Sequence, residues 1–353
     1  MRRLIGVTLL MGSMLGVIGI LQAQEEAEAP TDPNYPAWAW AIPGPDDHRT
    51  PTPPLDDTKY TLPGSRFSFT LGEAQGRDPN NRNVRFGPAD WFPEDHPTMP
   101  DLIANGDPER GITPCSLCHL PNGKGRPENA PPAGQPREYT IATLMDMKNG
   151  LRGSADKRKG NIFRMNKYAN LMTVDEINEA AEYYAAMKWT PWIILKEVEE
   201  VQKVYSSIGM WIPREGDEAG MEPIGMRIIE TPENVFNAEI LRGPRSKWIA
   251  YVPVGAVEKG KDLVTTGGNG KTMACATCHG PDLHGMGAMP GIAARSPSYI
   301  ARQLYSYQTG DRNGAMAAMM KGVVANMTNE DFVNITAYLA TLPAQAEEPT
   351  FTE

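Results

Sequence analysis

Cysteine is scarce in this chain. There are four in 353 residues, all within two short motifs, so none is left near the N-terminus for a lipid anchor. Histidine is limited to five. Basic residues are outnumbered, 34 against 43 acidic, for a formal net charge of −9, which argues against a nucleic-acid surface built on phosphate contacts. Long apolar runs are missing beyond residue 21, so no later segment is expected to span a bilayer. Proline (32) and glycine (34) are abundant, the composition of a loop-rich fold.

The four cysteines form Cys115-Ser116-Leu117-Cys118-His119 and Cys275-Ala276-Thr277-Cys278-His279. A C-x-x-C-H run reads as a covalent c-type haem attachment site: two thiols add to the vinyl edge of a porphyrin, and the adjacent imidazole turns to the iron. Two copies that use every cysteine predict two covalently bound haems c, held by Cys115, Cys118, Cys275 and Cys278, with His119 and His279 as proximal iron ligands. The thiols are then thioethers, and no disulfide is expected. The alternative, a zinc site made by convergence of the two pairs, gives the histidines no role.

Residues 1–23 read as a signal peptide, with Arg2 and Arg3 ahead of an uncharged apolar run at 4–21 and a small residue, Ala23, for cleavage. The run is 18 residues long, so an uncleaved membrane anchor is the competing reading. Export to the periplasm agrees with thioether chemistry, which takes place outside the cytoplasm. Removal of Arg2 and Arg3 would bring the net charge to about −11.

Residues 24–100 are rich in proline and poor in periodicity, and Trp38, Trp40 and Trp91 suggest an extended arm packed over the rest. His48 and His96 read as solvated side chains in this arm. A first unit spans 101–192, with a helix over 138–149 and another beginning at Thr173, where Glu176 completes a capping box. Residues 193–250 read as a β-rich connector, with short strands around Val198, Val201 and Val204 and over 210–212, 226–229 and 248–252. A second unit covers 251–345, with a helix over 257–265 ahead of its motif, and 346–353 is a tail.

The two units repeat one another beyond the cysteines. Tyr139 precedes Gly150 by 11 residues, as Tyr299 precedes Gly310; Met165 precedes Met172 by seven, as Met320 precedes Met327. Thr173 to Tyr183 and Thr328 to Tyr338 are both ten residues. A six-coordinate iron needs a second axial ligand, and a soft thioether favours Fe(II). The repeat selects Met165 and Met320 for that role from 19 methionines, with Met316 and Met319 as near competitors of Met320. His284, five residues after His279, has no counterpart in the first unit and reads as a surface residue.

With CATCHG, MPGIA, SPSYIARQLYSYQTGDRNG and MMKGVVANMTNEDFVNITAYLATL, residues 267–342 resemble a class I c-type cytochrome domain. The first unit resembles it through CSLCH, EYTIATLMDMKNG and MNKYANLMTVDEINEAAEYY, and the pair is similar to the dihaem members of that family. The resemblance covers about half the chain. It implies a mainly α fold: two class I cytochrome c-like domains with a small β-rich connector and an extended N-terminal arm. It also implies that a proline carbonyl holds each proximal histidine, Pro290 for His279 and Pro131 for His119. Tyr183 and Tyr338 would pack on the N-terminal helix of their units.

The function expected is electron transfer without bond making, by two low-spin His/Met haems. A redox protein donor and acceptor, such as a membrane or periplasmic oxidoreductase, are the expected partners. A dihaem peroxidase-like enzyme and a cytochrome subunit of a dehydrogenase or oxidase complex are the alternatives. Lys148, Arg152, Lys157, Arg158, Lys159, Arg164 and Lys167 surround Met165 in sequence and suggest a basic docking face for an acidic partner.

Overall fold

The computed structural model describes residues 36, 41–44, 47, 49–78 and 86–349. Residues 1–23, expected to be a signal peptide, and Trp38, Trp40 and His48 lie outside the described residues.

The arm carries a two-stranded antiparallel ribbon, β1 (Lys59–Tyr60) with β2 (Phe69–Thr70), and a short helix α1 (Leu71–Gln75). Thr70 and Glu73 close α1 with a capping box. Leu62, Leu71, Trp91 and Phe92 are buried together with Ile240 and Leu241 of the connector, so the arm shares its core with the segment it covers. Trp91 donates its indole N–H to the Leu241 carbonyl at 3.0 Å, which pays the polar cost of burying the ring. His96 is not solvated: its side chain is 4% exposed, its Nε2 lies 3.2 Å from the Asp90 carboxylate, and its ring packs 6.1 Å from Tyr183. A carboxylate six residues upstream makes the burial tolerable, a partner that the loop-like sequence around His96 does not announce.

The first unit is built from α2 (Asp101–Ala104), the motif helix α3 (Cys115–His119), α4 (Arg137–Lys148), α5 (Gly160–Leu171) and α6 (Val174–Ala185). The second has α7 (Ala256–Thr266), α8 (Ala276–His279), α9 (Pro297–Gln308), α10 (Ala317–Val324) and α11 (Asn329–Thr341). The repeat holds in three dimensions: α4 packs on α5 and α6 as α9 packs on α10 and α11. Capping boxes start the equivalent helices, Thr173 with Glu176 at α6 and Thr328 with Asp331 at α11. The N-terminal helices differ. In the second unit α7 lies directly against α11, with Tyr338 over Gly260. In the first, α2 is a single turn against α3, and Tyr183 instead donates its hydroxyl to the Pro121 carbonyl at 2.7 Å.

Between the units, β3 (Ile193–Val198), β9 (Trp248–Pro253) and β8 (Ile229–Pro232) form a sheet in the order β3-β9-β8, parallel between β3 and β9 and antiparallel between β9 and β8. The parallel pair is possible because the crossover between its strands holds two small antiparallel ladders, β4 (Glu200–Gln202) with β7 (Met221–Pro223) and β5 (Val204–Ser207) with β6 (Met210–Pro213). Residues 226–228 precede β8 rather than forming part of it. Trp248 packs in the first unit's core and Val252, four residues on, in the second's. The sheet thereby joins two hydrophobic cores.

Further ties cross directly between the units. Arg295, 1% exposed, donates to the carbonyls of Pro131 and Ala133 and lies 4.3 Å over the Trp189 ring. Trp189 in turn donates its indole N–H to the Ala294 carbonyl at 2.9 Å. The C-terminal segment is a strap: Gln345 accepts from the Trp189 N–H at 2.8 Å, and the Glu348 carboxylate meets Lys124 at 2.6 Å and Lys247 at 3.1 Å.

Burial alone would raise the Glu348 carboxyl, but Lys124 and Lys247 overcome it and hold the group below its ordinary 4.5. Burial of the Lys124 ammonium outweighs its ion pair and lowers it to about 8. The stability Glu348 contributes is therefore complete above the unfolded carboxyl value and lost as pH falls through the lower folded one. Glu348→Gln is expected to flatten the acid limb of urea midpoints measured between about pH 6 and pH 3. Parallel curves for the two proteins would show that the strap does not depend on that charge.

Candidate haem sites

Each motif forms one helical turn, which puts the two cysteines and the histidine on one face at spacings i, i+3 and i+4. The histidines are buried, and each is fixed by a backbone carbonyl: His119 Nδ1 to Ala130 O at 2.8 Å, and His279 Nδ1 to Pro290 O at 2.7 Å. A carbonyl only accepts, so Nδ1 carries the proton and Nε2 keeps its lone pair for a metal. Burial pushes both imidazoles below their ordinary value, against the opposing hydrogen bond, and keeps them neutral.

Pro131 does not hold His119; Ala130 does, at the same interval of 11 residues as Pro290 from His279. The position supplies a carbonyl, and any residue type supplies that atom. Pro290→Ala should accordingly leave the second haem's visible spectrum intact and move its potential less than about twofold in equilibrium constant. Loss of low-spin character in that variant would show that the proline ring itself is required.

The motifs open into separate cavities. The first, about 190 Å³, is lined by Cys115, Cys118, His119 and Met165; the second, about 610 Å³, by Cys275, Cys278, His279 and Met320. The two thiol pairs do not converge, which removes the zinc reading, and among the described residues no group of three or more His, Cys, Asp or Glu side chains gathers for a metal. Met165 and Met320 are partly buried and packed on their cores. Met316 and Met319 are 43% and 50% exposed. His284 is not among the residues that line the second cavity. The donor set fits an iron porphyrin: paired thiols for the macrocycle edge, a neutral imidazole nitrogen, and a soft thioether.

The cavities share a wall that the sequence reading missed. Tyr139, Tyr299 and Gln303 line both. Arg152 and Arg312 meet in an antiparallel bridge, and both donate to Gln303 Oε1, at 3.1 and 3.3 Å. Arg312 also reaches the Tyr139 hydroxyl at 3.4 Å. The interval from Tyr139 to Arg152 equals that from Tyr299 to Arg312, 13 residues, so the repeat brings equivalent side chains together at its own junction. That spacing was the signal available in the sequence. Burial would raise the Tyr139 phenol, but the Arg312 and Arg152 charges overcome it and bring it to about 7.

Much of the basic run around Met165 is engaged within the protein. Lys148 donates to the carbonyls of Ala169, Asn170 and Met172 and so caps the end of α5. Arg152 and Lys159 are 5% and 9% exposed. Lys157 pairs with Asp311 at 2.5 Å and Arg158 with Asp156 at 2.7 Å. Helix ends and the junction between units consume these charges, which leaves only Arg164 and Lys167 exposed without an ion pair among the described residues.

The chain is similar to known proteins. The sequence model of the family described as Cytochrome c matches residues 257–343. The thiosulfate dehydrogenase electron acceptor of Thiomonas intermedia is 32% identical over 232 residues, which are 65% of this chain and 78% of that protein. This chain is a dihaem c-type cytochrome. The cytochrome is also similar to cytochrome c4 of Stutzerimonas stutzeri, 22% identical over 67% of this chain and 89% of the relative. A solved cytochrome c4 of Acidithiobacillus ferrooxidans, 22% identical, aligns over 65% of this chain and 98% of its own with a TM-score of 0.42. Covalent haem c and electron transfer follow from membership of this family, and the peroxidase alternative is not favoured.

Proposed function

We propose that this cytochrome is the electron acceptor of a partner oxidoreductase outside the cytoplasm, with His119 and Met165 on one iron and His279 and Met320 on the other. The observation that carries this reading is that each cavity is lined by a carbonyl-fixed histidine and, among its several methionines, by the one that the repeat selects, Met165 in the first and Met320 in the second. When bound, each haem takes up or gives one electron. The chain's own residues hold the imidazole neutral and supply the thioether that favours Fe(II).

The relative named as a thiosulfate dehydrogenase electron acceptor supports a dehydrogenase of a small sulfur oxyanion as the donor. Export is supported by the N-terminal basic and apolar segment together with thioether attachment. The test is direct reduction. Purified holoprotein mixed with a thiosulfate dehydrogenase and thiosulfate should become reduced within catalytic turnover times, with a methionine–iron charge-transfer band in the oxidised spectrum. Absence of that band, together with peroxide turnover, would overturn the reading.

A further inference from the structure

The two cavities differ in charge. The first is lined by Arg152, Lys159 and Arg302, which are 5%, 9% and 7% exposed, and by Glu128, which Arg126 already neutralises at 2.8 Å. Arg302 comes from α9 of the second unit, so the second unit supplies a cation to the first unit's cavity. Its guanidinium is held by the Pro127 carbonyl and by Ser298 Oγ at 3.2 Å, and Ser298 donates to Glu230 of the connector at 2.5 Å. Lys159 has no ion pair among the described residues; burial first, and then the Arg302 charge, lower it to about 7. The second cavity has one buried cation, Arg312 at 6% exposure. Its other cation, Lys271, is paired with Asp331 at 2.5 Å, and the carboxylates of Glu138 and Asp146 lie in the same lining.

Solvent access differs in the same direction. Residues 121–128, just after the first motif, are all buried, whereas 281, 282, 286 and 287 after the second are exposed. Buried cations and a low-dielectric shell both favour the less positive iron, Fe(II). Glu230 offsets part of the Arg302 charge, and burial part of the Lys159 charge, but Arg152 and Arg302 with Lys159 still outweigh the single buried Arg312 among the described residues of the second cavity.

We propose that Arg152, Lys159 and Arg302 take the propionates of the first haem and hold its potential above that of the second, so that a half-reduced molecule keeps its electron on the first. The inference rests on the haem reading above. With both haems bound, the internal step would be a one-electron exchange in which the second site gives up the electron that the first site takes, with no bond broken; Arg152, Lys159 and Arg302 would set its direction. The external redox donor supplies the electron.

A potentiometric titration of the purified holoprotein, followed by visible spectra, tests this, with Met165→His marking the first haem's wave. The higher wave should be the one that Met165→His moves. Lys159→Met and Arg302→Gln should each lower that wave by at least threefold in equilibrium constant, ~30 mV at 59 mV per tenfold for one electron. Arg302→Lys should retain it, and Lys271→Met should act on the lower wave only. If Arg302→Gln fails to hold haem, Lys159→Met decides alone. A higher wave belonging to the second haem, coincident waves, or a first wave unmoved by Lys159→Met would overturn the proposal. Loss of the methionine band in the wild type would instead sink the ligand assignment, a separate outcome.

Discussion

Met320→His is expected to lower the second haem's midpoint by more than a hundredfold in equilibrium constant, ~120 mV at 59 mV per tenfold. The methionine–iron band of that site should disappear. The thioether is a soft, neutral donor that stabilises Fe(II); imidazole is a stronger σ donor that favours Fe(III), and axial ligands set haem potentials over about 0.8 V. The neighbours make the test specific. Met319→His should leave the second wave in place, because Met319 is 50% exposed while Met320 packs partly buried on the second unit's core. Met165→His should act in the same way on the first wave alone. If Met319→His shifts the wave and Met320→His does not, the repeat has selected the wrong methionine.

Gly260→Ala should destabilise the second unit by about 2 kcal/mol or more, although alanine is the better helix former. Propensity alone predicts a gain of about 1 kcal/mol from removing glycine inside a helix. A methyl at Gly260, however, would lie 1.9 Å from the Asn334 carbonyl oxygen, 2.5 Å from its carbon and 3.0 Å from Tyr338 Cβ. The first two are backbone atoms of α11, which cannot swing aside as a flexible side chain can. The helices α7 and α11 must separate, and α11 supplies Ile335 and Leu339 to the lining of the second cavity. Chemical denaturation should therefore show an earlier transition, with the second haem's methionine band lost before the first's. An unchanged or later transition would mean that the close approach of α7 and α11 is not maintained in solution.

These two substitutions draw on different kinds of information. Met320 could be selected from spacing, because a repeated domain keeps ligand intervals and helix caps in register along the chain. The same holds for the C-x-x-C-H motifs and for α6, whose start is written locally in Thr173 and Glu176. Gly260 could not be read in this way. In sequence it is a weak residue in a helix; in the fold it is the point where two helices touch.

The sequence by itself determined that haem is attached covalently, twice, and that the two units repeat one another, and it singled out one histidine and one methionine in each copy for the test above. Those features depend on covalent chemistry and on intervals of a few residues to a few tens of residues. The tertiary structure decided what long-range packing controls. It put the Ala130 carbonyl on His119 in place of Pro131, because backbone position supplies the acceptor. It tied much of the basic run near Met165 to partners, Lys148 to the end of α5, Lys157 to Asp311 and Arg152 to Gln303, the last two from the other unit. It brought Arg302 to a carbonyl 175 residues away, beside the first haem's cavity. Charge in the sequence is only a count, and what a charge does is set by the partners and the solvent that folding leaves around it.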